Sequence, residues 1–159
     1  MSIDFSEFHD VFFEECFEGL DVMESGLLTL DHGTNVEEID SIFRAAHSIK
    51  GGGASFGFME ISGFTHVMET LLDEMRECTR SVTREAVNLL LESVDVLRLM
   101  VDAAKDDQKI DPQRTGEVRQ KLETMLAEKE SATNDQPTNA GVQGEEATTG
   151  PDKDGDSLG

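Results

Sequence analysis

No proline occurs in the first 111 residues of this 159-residue chain, and along that stretch the apolar residues recur at spacings of three and four. That period is the signature of amphipathic helices. The first helix is expected over residues 5–30, with Phe8, Phe12, Cys16, Leu20, Met23, Leu27 and Leu30 on one stripe and Gly33 as a left-handed cap. Asn35 reads as the N-cap of a second, whose stripe of Ile39, Ile42, Ala46, Ile49, Gly53 and Phe56 runs straight through three consecutive glycines. A third begins near Glu60 and aligns Phe64, Val67, Met68, Leu71, Leu72, Met75 and Cys78. Thr83 then caps a fourth, with Val87, Leu90, Val94, Leu97, Val101 and Ala104 in register. Asp111-Pro112 opens a fifth, since proline at the first helical position loses only an amide that would have no partner anyway. Its stripe of Val118, Leu122, Met125 and Leu126 is narrow and broken by Gly116. Short connections make successive helices antiparallel neighbours. The expected fold class is therefore all-α: an antiparallel up-and-down four-helix bundle with an additional C-terminal helix.

Composition changes at Glu130. Residues 131–159 hold five of the 14 glycines and two of the three prolines, with Val142 and Leu158 as the sizeable apolar residues. Such a segment buries too little surface to offset its ordering entropy. Residues 1–130 are expected to form one helical domain, and 131–159 a disordered acidic interdomain linker. With 13 Lys and Arg against 34 Asp and Glu, the net charge is −21. A surface of that sign repels nucleic acid and anionic lipid, so neither is an expected partner, and it favours a monomer. No apolar run nears the ~20 residues that cross a bilayer, and the first ten residues are acidic where a signal peptide would be basic. A cytoplasmic location follows as an expectation. Cys16 and Cys78 both fall among apolar helical neighbours and read as reduced core thiols.

His47 breaks the pattern. At about 100° per residue it lies about 200° from Ile49, on the side of the second helix away from the stripe. Arg44, Lys50, Gly51 and Ala54 share its face, and Arg44 and Lys50 are the only cationic side chains before Met75. Positive charge gathered around an exposed imidazole suits a phosphoryl group. Gly51, Gly52 and Gly53 each weaken a helix by roughly 0.5–1 kcal/mol relative to Ala, which implies a compensating use. Gly51 is read as opening the approach to His47, and Gly53, on the stripe, as serving helix packing. On the third helix His66, Glu69, Asp73 and Arg76 form a polar row opposite Met68 and Leu71. If the two helices are antiparallel, Glu69 comes within reach of His47. It would then take the proton of one ring nitrogen and leave the other as a nucleophile. The alternative at Glu69 is a solvated surface charge, and at His66 an ordinary surface histidine. His9 and His32 belong to no constellation.

The run from Ile42 to Gly53, Ile-Phe-Arg-Ala-Ala-His-Ser-Ile-Lys-Gly-Gly-Gly, followed by Phe56-Gly57-Phe58, resembles the phosphorylation-site motif of histidine phosphotransfer (HPt) domains. More narrowly, it is similar to the N-terminal domain of the bacterial chemotaxis histidine kinase CheA. The segment from Thr65 to Glu74 resembles the same family independently, and the likeness covers roughly residues 1–130. The resemblance implies a phosphoryl carrier. His47 would be the phosphoacceptor and Glu69 its orienting partner, with Lys50 and His66 supporting and Arg44, Gly51 and Gly52 on the approach of phosphate and partner. It further implies that the kinase domain of CheA supplies the γ-phosphoryl of ATP, that response regulators of CheY and CheB type receive it, and that ATP and Mg²⁺ arrive with partner domains. The chain would be an acceptor and not itself a kinase, because no Gly-rich phosphate loop follows a strand. It reads as an N-terminal fragment or, alternatively, a free-standing HPt relay protein.

Two other classes compete. A helical adaptor accounts for the bundle and the acidic tail, but not for two cations and a glycine run around an outward histidine. A metal site on His47, His66, Glu69 and Asp73 would need the Glu-x-x-His order of carboxylate-bridged bundles, and the chain has none.

Overall fold

The computed structural model describes residues 6–30 and 35–139, with side chains as far as Glu128. They form five helices: α1 (Ser6–Leu30), α2 (Val36–Ser55), α3 (Met59–Arg76), α4 (Arg84–Lys105) and α5 (Pro112–Asn139). No strand occurs among the described residues. The starts follow the predicted caps. Asn35 Oδ1 accepts the amides of Glu37 (2.9 Å) and Glu38 (3.2 Å), and Thr83 Oγ1 accepts that of Ala86 (3.1 Å). Asp111 Oδ1 takes the amide of Gln113 (3.1 Å) ahead of α5. Gly33 lies outside the described residues.

Three helices end the same way. After α2, Phe58 N donates to Gly53 O (2.7 Å) and Gly57 N to Ala54 O (3.3 Å), with Gly57 at φ +86°. This pair of bonds around a left-handed residue satisfies carbonyls that the helix leaves open. After α3 and α4 the same turn is built on Cys78 (φ 63°) and Asp107 (φ 56°). Cys78 therefore departs from expectation: α3 stops at Arg76, and the left-handed turn carries the thiol off the stripe to an exposed position. Cys16 is a core thiol as expected, and burial, with the Glu15 charge beside it, pushes its pKa up to about 12.

Contacts between helices run in step. Phe12 meets Gly52, Gly19 meets Ile49 and Gly26 meets Ile42, so α1 and α2 are antiparallel. Ser62 beside Gly53, Glu69 with His47 and Arg76 with Asp40 make α2 and α3 antiparallel in turn. Arg98 reaches Asp21 and Glu24 while Lys105 lies over Phe17, which orders α4 against α1. Among the described residues α1 and α3 each pack on both α2 and α4, which closes the four-helix ring. Leu20, Met23, Leu27, Ile39, Ile42, Phe64, Met68, Leu71, Leu72, Leu90 and Leu97 fill its axis. Each such side chain stabilises the fold by about 1.5–3 kcal/mol.

Stripe positions at the ends behave differently. Phe8 is 52 % exposed, whereas off-stripe Phe13 is buried and packs on Phe12 and Phe58. Phe56 and Ala104 are only half-buried, Phe56 because it lies just past the end of α2. On α5, Val118 and Leu122 are buried. Among the described residues the compact unit extends to Glu123. The linker expected from Ser131 does not begin irregularly, because α5 continues through Asn139; once a helix is nucleated, each added residue gains a hydrogen bond. Residues 140–159 lie outside the described residues.

Cysteine at a left-handed position is strained where glycine is not. Cys78→Gly is expected to raise stability by about 1 kcal/mol, read as a higher midpoint in urea at unchanged slope.

Candidate functional site

His47 and Lys50, one helical turn apart, project from the same face of α2, and α3 brings Glu69 between them. Glu69 Oε2 accepts a hydrogen bond from His47 Nδ1, and Oε1 accepts one from Lys50 Nζ at 2.6 Å. Ser62 Oγ donates to Lys50 O (3.0 Å), tying the two helices nearer their connection. Glu69 is 6 % exposed, whereas the imidazole has 63 % of its side-chain surface free. Glu69 therefore belongs to the α2–α3 seam and not to a solvated row.

Burial alone would push the Glu69 carboxyl up. The hydrogen bonds from Lys50 and His47, with their charges, overcome it and hold the carboxyl below its ordinary value of 4.5. A carboxylate accepts and does not donate, so Nδ1 is the nitrogen that carries the proton of a neutral ring. Nε2, across the ring from Glu69, keeps its lone pair in an exposed position.

The other predicted residues divide. Arg44 is 79 % exposed on its side chain and pairs with Asp40 Oδ2 (2.8 Å), one turn back along α2, an exposed ion pair of the weak kind. A Cβ on Gly51 would meet nothing within 4 Å, consistent with an open approach. Gly52 differs from expectation: a Cβ there would lie 2.6 Å from the Phe12 ring, so its smoothness serves α1–α2 packing and not access. Gly53 packs as expected, with Phe58 O 3.2 Å and Ser62 N 3.3 Å from the same construction. His66 is exposed on a cleft it shares with Phe43, Glu69, Thr70, Asp73 and Arg76. Among the described residues its ring makes no side-chain hydrogen bond.

Sequence reasoning passed over Phe43 and gave Arg76 no role. The Phe43 ring lies 6.0 Å from the His47 ring at 14°, and the Arg76 guanidinium sits 4.0 Å over the Phe43 centroid. Four-residue spacing from His47 was the signal for Phe43. Among the described residues no group of three or more His, Cys, Asp and Glu side chains could hold a metal ion, and no helix is long and apolar enough to cross a membrane.

The family model of the Hpt domain matches residues 7–107. The chain belongs to the Hpt domain family. It is 41 % identical over 129 residues to the chemotaxis protein CheA of Klebsiella aerogenes, covering 80 % of this chain and 20 % of that protein. Against the chemotaxis protein CheA of Salmonella typhimurium it is 43 % identical over 112 residues, 70 % of this chain and 17 % of the relative. It thus spans about a fifth of the length of these relatives. Among solved structures, the P1 domain of CheA3 from R. sphaeroides, phosphorylated and in complex with CheY6, superposes with a TM-score of 0.71 at 24 % identity, covering 77 % of this chain and 98 % of that one. The solution structure of the histidine phosphotransfer domain of CheA gives 0.67 at 25 %, covering 77 % and 93 %. The helical bundle is the Hpt fold.

Two measurements check this geometry. Gly52→Ala is expected to lose about 1–3 kcal/mol through overpacking on Phe12, while Gly51→Ala gains about 0.5–1 kcal/mol, by chemical denaturation. Because the folded-state pKa of Glu69 is depressed, its contribution to stability is complete above pH 4.5 and lost as pH falls through the lower folded value. Carbon NMR of the carboxyl should give a midpoint below 4.5 that rises in Lys50→Met; a midpoint at or above 4.5 in the unaltered protein contradicts it.

Proposed function

We propose that this chain is a phosphoryl carrier in bacterial chemotaxis signalling. His47 accepts the γ-phosphoryl of ATP from a kinase domain of CheA type and passes it to an aspartate of a response regulator of CheY or CheB type. The observation that carries the reading is the tethered imidazole: Nδ1 bonded to the buried Glu69 carboxylate, Nε2 free on the exposed side. Similarity to chemotaxis proteins supports the setting.

Phosphoryl transfer asks mainly for alignment and charge stabilisation. As the Nε2 lone pair forms the N–P bond, the bond from γ-phosphorus to the bridging oxygen breaks and ADP leaves with its electron pair. The ring, still protonated at Nδ1, becomes formally cationic, and the Glu69 carboxylate beside it stabilises that charge. Lys50 holds the other carboxylate oxygen, which orients Oε2 and keeps Glu69 ionised. In the second step an aspartate oxygen of the regulator attacks phosphorus, the N–P electrons return to Nε2, and a neutral imidazole is regenerated. ATP and Mg²⁺ come with the kinase domain, so the chain is the acceptor and the partner is the catalyst. His66 lines the cleft beside Glu69 and Gly51 leaves room for the partner. The acidic segment that follows α5 serves as the tether in this reading.

Incubation with ATP, Mg²⁺ and a chemotaxis kinase core lacking its own phosphotransfer domain, read by intact mass at neutral pH, tests this. One phosphoryl group is expected, acid-labile, discharged by a CheY-type regulator and absent from His47→Gln. Glu69→Ala should slow incorporation about tenfold to a hundredfold by releasing the ring. No incorporation by an active core overturns the proposal, and labelling without added kinase overturns the acceptor-only role.

A further inference from the structure

Hydrogen bonding at Nδ1 fixes one point of an imidazole that is otherwise largely exposed; it leaves the ring free to rock about that bond. A second constraint is present. Phe43, one turn before His47 on α2, sets its ring nearly parallel to the imidazole, at 14° and 6.0 Å between centroids. Phe43 is itself held. The planar guanidinium of Arg76, from the last turn of α3, lies 4.0 Å over its centroid, a favourable contact between cation and ring face.

Arg76 in turn has little freedom. Its Nη2 and Nε donate to Asp73 Oδ1 at 2.8 and 3.3 Å, and Nη1 donates to Asp40 Oδ1 at 3.5 Å. Asp73 stands one turn back on the same helix, and Asp40 comes from α2, one turn before Phe43. Asp40 uses its other oxygen for Arg44. The guanidinium is thus pinned from both helices above the ring that flanks the imidazole.

We infer that Arg76 and Phe43 are positioning residues for phosphoryl transfer: Arg76, anchored by Asp73 and Asp40, clamps Phe43, and Phe43 sets the plane of the His47 ring so that Nε2 presents its lone pair along one direction. The inference rests on His47 being the phosphoacceptor. Neither residue touches the transferred group; both act through the imidazole. Both are only partly buried, so truncating them leaves the bundle core intact.

The test uses the full chain as substrate of the same kinase core. Phe43→Leu and Arg76→Met should each lower kcat about tenfold with KM changed less than about twofold, because the geometry of attack is altered and docking is not. The double variant should be no slower than the slower single one, since Arg76 works through Phe43. Phe43→Tyr, which keeps the ring, should recover most of the rate. Unchanged kcat in folded variants, a loss confined to KM, or losses that multiply would each overturn the inference. NMR of the His47 ring reports without any transfer. The Nδ1–H tautomer is expected in all three proteins, because Glu69 is intact, while residual dipolar couplings of the ring C–H bonds should report one fixed plane in the unaltered protein and averaged orientations in both variants; identical couplings overturn the inference whatever the kinase does. Failure of the unaltered chain to accept phosphate would instead remove the phosphoacceptor reading.

Discussion

The site depends on one buried carboxylate. Glu69 sits in the seam between α2 and α3, where an unpaired charge would be strongly disfavoured, and it is kept ionised because a lysine and a histidine of the same helix face converge on its two oxygens. That arrangement does two jobs at once. It satisfies a polar group inside the helix pair, and it fixes an imidazole that could carry its proton on either nitrogen as a single tautomer, one nitrogen bound and the other reactive. The rest of the bundle supplies a rigid frame in which α2 and α3 cannot slide relative to one another.

The three consecutive glycines show how differently neighbouring residues of one kind can be used. Gly51 faces open space, Gly52 faces the Phe12 ring and Gly53 faces the backbone of α3. Successive positions on a helix turn by about 100°, so three in a row look in three directions. Only the first lies on the histidine's side. The other two let α1 and α3 approach α2 closely enough for the aromatic cluster at this end, where Phe12 stacks on Phe58 and His9 meets Phe56 and Phe58 edge-on.

Much of the fold was legible in the sequence, because helix caps and apolar stripes are local signals. Asn35, Thr83 and Pro112 start helices where they were expected to, and the stripes of α2, α3 and α4 are buried along most of their length. Failures gather at ends. Periodicity counted Cys78 as core because nothing in the pattern says that a left-handed turn intervenes, and Phe8 as core although at this end of α1 the buried ring is that of off-stripe Phe13. At the site, Glu69 was found through its spacing from His66 and the antiparallel pairing of two helices. Phe43 and Arg76 were missed for a different reason: an aromatic ring and a cation in the wall of a bundle read as ordinary surface until a third helix-borne carboxylate shows what they hold. Asp40, four residues before Arg44, stands at the spacing of an ion pair on one helix face, a signal that the reading of Arg44 as a cation near phosphate did not weigh.

The connection between α2 and α3 is three residues long, Phe56 to Phe58, closed by the bond from Phe58 N to Gly53 O and by the left-handed Gly57. Its brevity ties the rotational phase of one helix to that of the other. One residue inserted or deleted there would turn α3 by about 100° and shift it by about 1.5 Å against α2. Glu69, Asp73 and Arg76 would all swing off the seam together, leaving the imidazole with neither its carboxylate nor its clamp while each helix remained intact. The site therefore tolerates no change in the length of this connection, and the 22 positions from the histidine to its carboxylate act as a single structural unit.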